Sequence, residues 1–229
     1  MKTKSERLRG LYVITDHALS LQHHQALVDM AEAAIHGGAR IVQYRNKTSP
    51  QAQRQRDAQA LAELCKKQEV LFLINDDVQL ACSVDADGVH LGQSDTNMAR
   101  ARDLLGEQRI IGITCHDQIA LALAAQHAGA DYVAFGRFFP SRTKPGARPA
   151  SLAILQQARK QLRIPIAAIG GITPDNAPSL LAHGADMLAV IHGVFGADDI
   201  AAAAGEYARL FTLQSRHIKQ AGGEVTATD

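Results

Sequence analysis

Short apolar runs recur along the chain, and nearly every one breaks off into polar or glycine residues. They occupy residues 11–14, 41–44, 71–74, 88–91, 110–113, 132–135, 166–169 and 187–191. Runs this short, bounded by turn residues, read as buried strands rather than helices. Between them the apolar positions fall at helical spacing. Leu27, Met30, Ala31, Ala34 and Ile35 share one face, and Gly37-Gly38 stops that helix. Ser49-Pro50 reads as N-cap and first helical residue of a segment reaching Gln68, with Ala58, Leu61, Ala62 and Cys65 on its apolar stripe. Further helices are predicted over 97–105, 117–128 and 151–162, from Thr173-Pro174 onward, and over 197–213.

A recurring phrase supports this parsing: AAIHGGARIV, AAQHAGADYV and LLAHGADMLA. Each joins a helix end, a terminating glycine and a strand. The irregular spacing of the copies marks a βα unit rather than a solenoid repeat. Eight strands alternating with eight helices predict an α/β chain, a (β/α)8 TIM barrel, with a doubly wound open sheet as the competing arrangement. Residues 1–213 form one domain in this reading, and 214–229 a flexible C-terminal extension.

Composition narrows the partners. Of 229 residues, 46% are hydrophobic and 21% charged, which supports a full buried core. A formal net charge of +1 and 4% aromatics without tryptophan argue against a nucleic-acid or membrane surface. The basic start MKTKSERLRG is not followed by an apolar leader, and no apolar run approaches a membrane span. Three widely spaced cysteines, Cys65, Cys82 and Cys115, form no zinc or disulfide pattern and point to a reducing, cytoplasmic setting.

The polar residues at the strand ends carry the candidate chemistry, because a barrel builds its site on the loops after the strands. Those ends supply Arg45 and Lys47, Asn75 and Asp76, Asp95, Thr114 and His116, residues 141–144, Gly170-Gly171, and Ile191-His192-Gly193. Asp76 and Asp95 close consecutive strands. Such hard oxygen donors suit Mg²⁺, held by one or two carboxylates plus substrate phosphates. The competing reading is that Asp76 and Asp77 only cap the next helix. Gly170-Gly171 and His192-Gly193 offer backbone amides to a phosphate, unless they are only tight turns. Arg45, Lys47 and Lys144 add more cation than one phosphate monoester needs and suit a departing diphosphate. The loop GRFFPSRTKPGARP, residues 136–149, is long for a βα connection and basic, as a lid over an anion would be. His90, inside a strand, reads as a hydrogen-bonded interior residue rather than a base.

Taken together, QYRNK at 43–47, INDD at 74–77, GVHLGQSD at 88–95, GITCH at 112–116, FPSRTK at 139–144 and AIGGI at 168–172 resemble the thiamine phosphate synthase family. The resemblance runs from Gly10 to about Gly196. It implies a barrel enzyme that joins hydroxymethylpyrimidine diphosphate to a thiazole phosphate, carboxylated or not, and releases diphosphate by a dissociative route. It further implies that Gln43, Tyr44, Arg45, Asn46, Lys47, Asn75, Thr114 and Lys144 contact the pyrimidine diphosphate, with Arg45, Lys47, Thr114 and Lys144 closest to the chemistry. Asp76 and Asp95 would hold Mg²⁺. Ser141, Arg142 and Thr143, with the backbone at Gly171, Ile191 and His192, would hold the thiazole phosphate. Many members carry Ser at Thr114, Thr at Ser141 and Ser at His192, so only the backbone role transfers to His192. The partners implied are small molecules, and a homo-oligomer is left open. A thiazole tautomerase and a ligand-sensing pseudoenzyme are the competing functions, and neither needs the full set of cations and carboxylates.

Overall fold

A computed structural model describes residues 3–24, 26–140 and 148–223 of the chain. Its strands are β1 (Gly10–Ile14), β2 (Ile41–Tyr44), β3 (Leu71–Asn75), β4 (Gly88–Leu91), β5 (Ile110–His116), β6 (Tyr132–Gly136), β7 (Ile166–Ile169) and β8 (Met187–Val190). They pair in chain order, all parallel, and β8 returns to β1 to close a (β/α)8 barrel. Alternation along each strand divides the apolar residues into two shells. Tyr12, Ile14, Ile41, Leu71, Leu73, Ile110, Tyr132 and Met187 fill the interior. Leu11, Val13, Val42, Phe72, Ile74 and Val89 face the helices.

The helices are α1 (Lys4–Arg7), α2 (His17–His23), α3 (Leu27–His36), α4 (Gln51–Lys67), α5 (Val78–Ser83), α6 (Met98–Leu105), α7 (Ile119–His127), α8 (Ala153–Gln161), α9 (Ala177–Ala182), α10 (His192–Phe195) and α11 (Ile200–Gly223). Several boundaries depart from the sequence reading. Pro50 is itself the N-cap of α4, one position later than expected. α9 opens at Ala177 because Thr173 and Asn176 first close a turn on each other's amides. β5 runs on to His116 through a register shift against β6 at Thr114 and His116. The backbone of α11 continues past residue 213 to Gly223. α1 and α2 have too few apolar positions to show a helical period, so neither was anticipated. Among the described residues, no helix is long and apolar enough to cross a membrane.

The recurring phrase has a structural meaning at the bottom of the barrel. Gly38, Gly129 and Gly184 take φ of 104°, 89° and 105°, which lets the chain leave a helix and enter a strand at once. Asp87, Asp131 and Asp186 immediately precede β4, β6 and β8. Their carboxylates accept from the amides of Phe72 (2.9 Å), Ile111 (2.8 Å) and Ile166 (2.8 Å) at the start of the preceding strand. Each also has a cation: Arg7 for Asp87, Lys4 and Arg102 for Asp131, Arg159 for Asp186. The basic N-terminus is therefore a strap. Lys4 and Arg7 tie it across the barrel floor, and Leu8, fully buried, plugs the interior, contributing about 2 kcal/mol.

Candidate active site

The opposite end, where the strands finish, gathers the predicted site residues. Gln43 is the last inward-facing residue of β2 and is 2% exposed. Its amide donates to the Tyr12 hydroxyl, and a chain continues across the interior. Tyr12 meets Tyr132 hydroxyl to hydroxyl at 2.9 Å, Tyr132 meets His90 Nδ1 at 2.8 Å, and His90 Nε2 meets Thr114 Oγ1 at 2.8 Å. Burial raises the hydroxyl pKa of both tyrosines above the usual tyrosine value, so both stay neutral. Gln43 and Thr114, expected to touch substrate, are thus the two ends of one polar chain, buried at Gln43 and partly exposed at Thr114. The linking tyrosines could not be recognised from the sequence. Their inward direction follows from strand register, and Tyr44 one strand over points the other way.

That orientation corrects one expectation. The Tyr44 side chain lies in the outer shell, 2% exposed, and donates to Asp57 of α4 at 3.2 Å. Strand alternation turns it away from the mouth, so only its backbone belongs to the segment there. Asn46 spends its side chain on its own loop, accepting from the amides of Thr48 and Ser49 and donating to the Ser49 hydroxyl. The Arg45 amide is anchored at 3.0 Å on Thr15, a 1%-exposed residue at the end of β1.

Asp76 and Asp77, adjacent in sequence, part company. Asp77 caps α5 through the Leu80 amide at 2.9 Å and sits 3.4 Å from Arg54. Asp76 adopts φ of 63° and caps nothing. Its carboxylate lies 2.9 Å from the Lys47 ammonium and within hydrogen-bonding reach of Asp95. Asp95 closes the turn after β4 by accepting from the Gly92 amide at 2.7 Å. Its carboxyl pKa is raised by burial first, and then by the hydrogen bond and charge of Asp76, while Lys47 and the Gly92 amide oppose the rise. A second carboxylate this close to Asp95 makes the place suited to a cation. Among the described residues no group of three or more His, Cys, Asp or Glu side chains could hold a metal ion. Two carboxylates could hold an ion only if water and phosphate oxygens filled its other positions, the manner in which Mg²⁺ is usually bound. A cleft of about 590 Å³ opens beside the pair, lined by Lys47, Asn75 and Asp76 and by two cations missed in the sequence, Arg54 and Arg100.

The glycine loops lie after β7 and β8. Gly170 and Gly171 have φ of 104° and 64°, and their amides have no hydrogen-bond partner among the described residues. Gly171 is pressed against the start of the long loop, since a Cβ there would stand 2.2 Å from the Pro140 carbonyl oxygen. Ile191 precedes the short α10, and the His192 ring packs back against Gly196. Ser141, Arg142, Thr143 and Lys144 lie outside the described residues.

Comparison with known proteins bears on the family and the fold. The family described as thiamine monophosphate synthase matches residues 11–194. The thiamine-phosphate synthase of Alcanivorax borkumensis is 55% identical over 84% of this chain and 88% of its own length. That of Thioalkalivibrio sulfidiphilus is 51% identical over 93% and 100%. A thiamine phosphate pyrophosphorylase structure from Pyrococcus furiosus superposes with a TM-score of 0.82 at 35% identity, covering 90% of this chain and 97% of that one.

Proposed function

We propose, for a chain that belongs to the thiamine monophosphate synthase family and is an enzyme making thiamine phosphate, a Mg²⁺-assisted dissociative reaction between hydroxymethylpyrimidine diphosphate and a thiazole phosphate or its carboxylated form. The observation that carries this reading is the cluster of Asp76, Asp95 and Lys47, on the same barrel rim as the two glycine loops. Asp76 and Asp95 would hold the ion, which when bound neutralises charge on the diphosphate oxygens.

The bond between the pyrimidine methylene carbon and the diphosphate oxygen breaks, and both electrons leave with oxygen. Arg45 and Lys47 stabilise that charge as it develops. Lys47, held 2.9 Å from Asp76, would then neutralise leaving-group charge beside the carboxylates that hold the ion. The buried Gln43 amide and the partly exposed Thr114 hydroxyl, fixed at the ends of the tyrosine–histidine chain, orient the pyrimidine ring. The thiazole nitrogen, its phosphate seated on the amides of Gly170 and Gly171 and at the start of α10, donates its lone pair to the same carbon. No proton need move in the joining step, which agrees with interior tyrosines that stay neutral. Lys144, Ser141, Arg142 and Thr143 keep the roles implied by the family motif.

Diphosphate release tests the reading. It should require both substrates and Mg²⁺ together. Turnover of a thiazole phosphate alone, with no diphosphate formed, would support a tautomerase instead. Arg45→Ala should lower kcat about ten- to hundredfold through loss of a charge-assisted contact made in the transition state.

A further inference from the structure

We propose that Tyr207 of α11 is a positioning residue for the phosphate cup, holding the loop after β7 and the start of α10 at the spacing that a bound phosphate monoester requires. The proposal rests on the reading that this cup seats the thiazole phosphate.

The side chain of Tyr207 is 1% exposed in the outer shell. Its hydroxyl donates to the Ile172 carbonyl oxygen at 2.9 Å, immediately after Gly170-Gly171. The same hydroxyl touches the other arm of the cup. A Cβ on Gly193 would lie 2.3 Å from it and 3.2 Å from the Ile172 oxygen. One buried oxygen therefore stands at the seam between the two backbone segments that offer their amides. Burial, with a smaller contribution from Glu206, pushes the hydroxyl pKa up to about 12, so it remains a donor at any working pH.

The far end of the loop is pinned by side chains packed behind it. The Gly171 carbonyl accepts from Asn176 Nδ2 at 3.1 Å, and the Thr173 amide donates to Asn176 Oδ1 at 2.9 Å. A trans peptide points its C=O and N–H in opposite directions, so holding a carbonyl toward the helices turns the following amide the other way. Tyr207 holds the next unit, joining Ile172 to Thr173, by its carbonyl, while Asn176 takes the amide of the same unit. Ile172 is 4% exposed, so without the hydroxyl its carbonyl would be buried and unpaired, and the loop would gain by rotating toward another donor. Such a rotation carries the Gly171 amide with it, and the cup loses its shape while the metal pair across the barrel keeps its own.

Steady-state kinetics of the full-length enzyme, varying each substrate in turn, tests this with Tyr207→Phe, Gly193→Ala and the double variant, each also followed by thermal unfolding. Tyr207→Phe should raise the KM for thiazole phosphate about tenfold, the effect of one lost hydrogen bond. The kcat and the KM for pyrimidine diphosphate should not change. Gly193→Ala should raise the same KM by crowding the hydroxyl. The double variant should lose less than the product of the two, because Phe removes the atom that the new methyl meets. If Gly193→Ala raises the thiazole KM while Tyr207→Phe only lowers the melting temperature, the cup stands and its bracing by Tyr207 is wrong. If neither variant moves that KM, the phosphate assignment falls and the proposal with it. A rise confined to the pyrimidine KM overturns both.

Discussion

At the closed end of the barrel Asp87, Asp131 and Asp186 each have a backbone amide and a cation, whereas at the open end Asp76 and Asp95 face each other with one lysine between them. Both sets sit at strand termini of one sheet, and their side chains are chemically the same. The difference is where the compensating charge comes from. Below, the chain supplies it from Lys4, Arg7, Arg102 and Arg159, and the carboxylates fasten neighbouring strands. Above, among the described residues, Lys47 alone pairs with Asp76, and a divalent ion would supply further positive charge. The carboxylates that hold the fold have completed partners, and on the proposed reading those that would serve a ligand keep an unresolved repulsion.

Exchanging the carboxylates one at a time should separate the two ends. The largest effect is expected from Asp95→Asn, which should lower kcat about a hundredfold or more while leaving the melting temperature unchanged or higher, since the amide relieves repulsion with Asp76. Mg²⁺ should raise the melting temperature of the wild type and not of this variant. An Asp95→Asn enzyme that is active but unstable would erase the distinction. Asp131→Ala should do the reverse. Its carboxylate is 15% exposed and takes Lys4, Arg102 and the Ile111 amide, so urea unfolding should show a loss of about 3 kcal/mol with normal kinetic constants. The smallest effect is expected at Asp77, one residue from Asp76. Replacing it with Ala removes the cap of α5 and should cost about 1 kcal/mol with turnover unchanged. A large kinetic defect there would show that the capping carboxylate also serves the ligand.

The barrel itself was legible because eight apolar runs ended in polar or glycine residues at every turn, and length and termination sufficed to identify strands. The pair Asp76 and Asp95 was legible for the same reason, as successive strand ends. What separated Asp76 from Asp77 was not, because both are aspartates before a helix and only the left-handed backbone at Asp76 withdraws it from capping. Direction across the sheet was equally hidden. Tyr12 and Tyr44 occupy similar strands, yet one joins the interior polar chain and the other meets α4, a matter of register between strands. The Asp of the repeated GAD phrase was visible as a pattern but not as a fastener, since its partner amide lies about twenty residues earlier in the chain. Tyr207 gave no signal at all, because a tyrosine on an Ala-rich helix reads as ordinary packing.

The pairing of β8 with β1 has a consequence for how the protein comes into being on the ribosome. Tyr12 registers with Ala189 and Leu11 with Leu188, so the first strand made waits for the last before it has both neighbours. Until then β1 and β7 are open edges of a parallel sheet, with unpaired backbone groups available to any other nascent strand. The cup after β7 and β8 arises only at that final closure, and α11, which carries Tyr207, is made later still. A chain interrupted before that point can already contain the carboxylate pair and the polar chain of the interior. On the proposed assignment it would have nowhere to seat the second phosphate, so acceptor binding would report a barrel that has been finished.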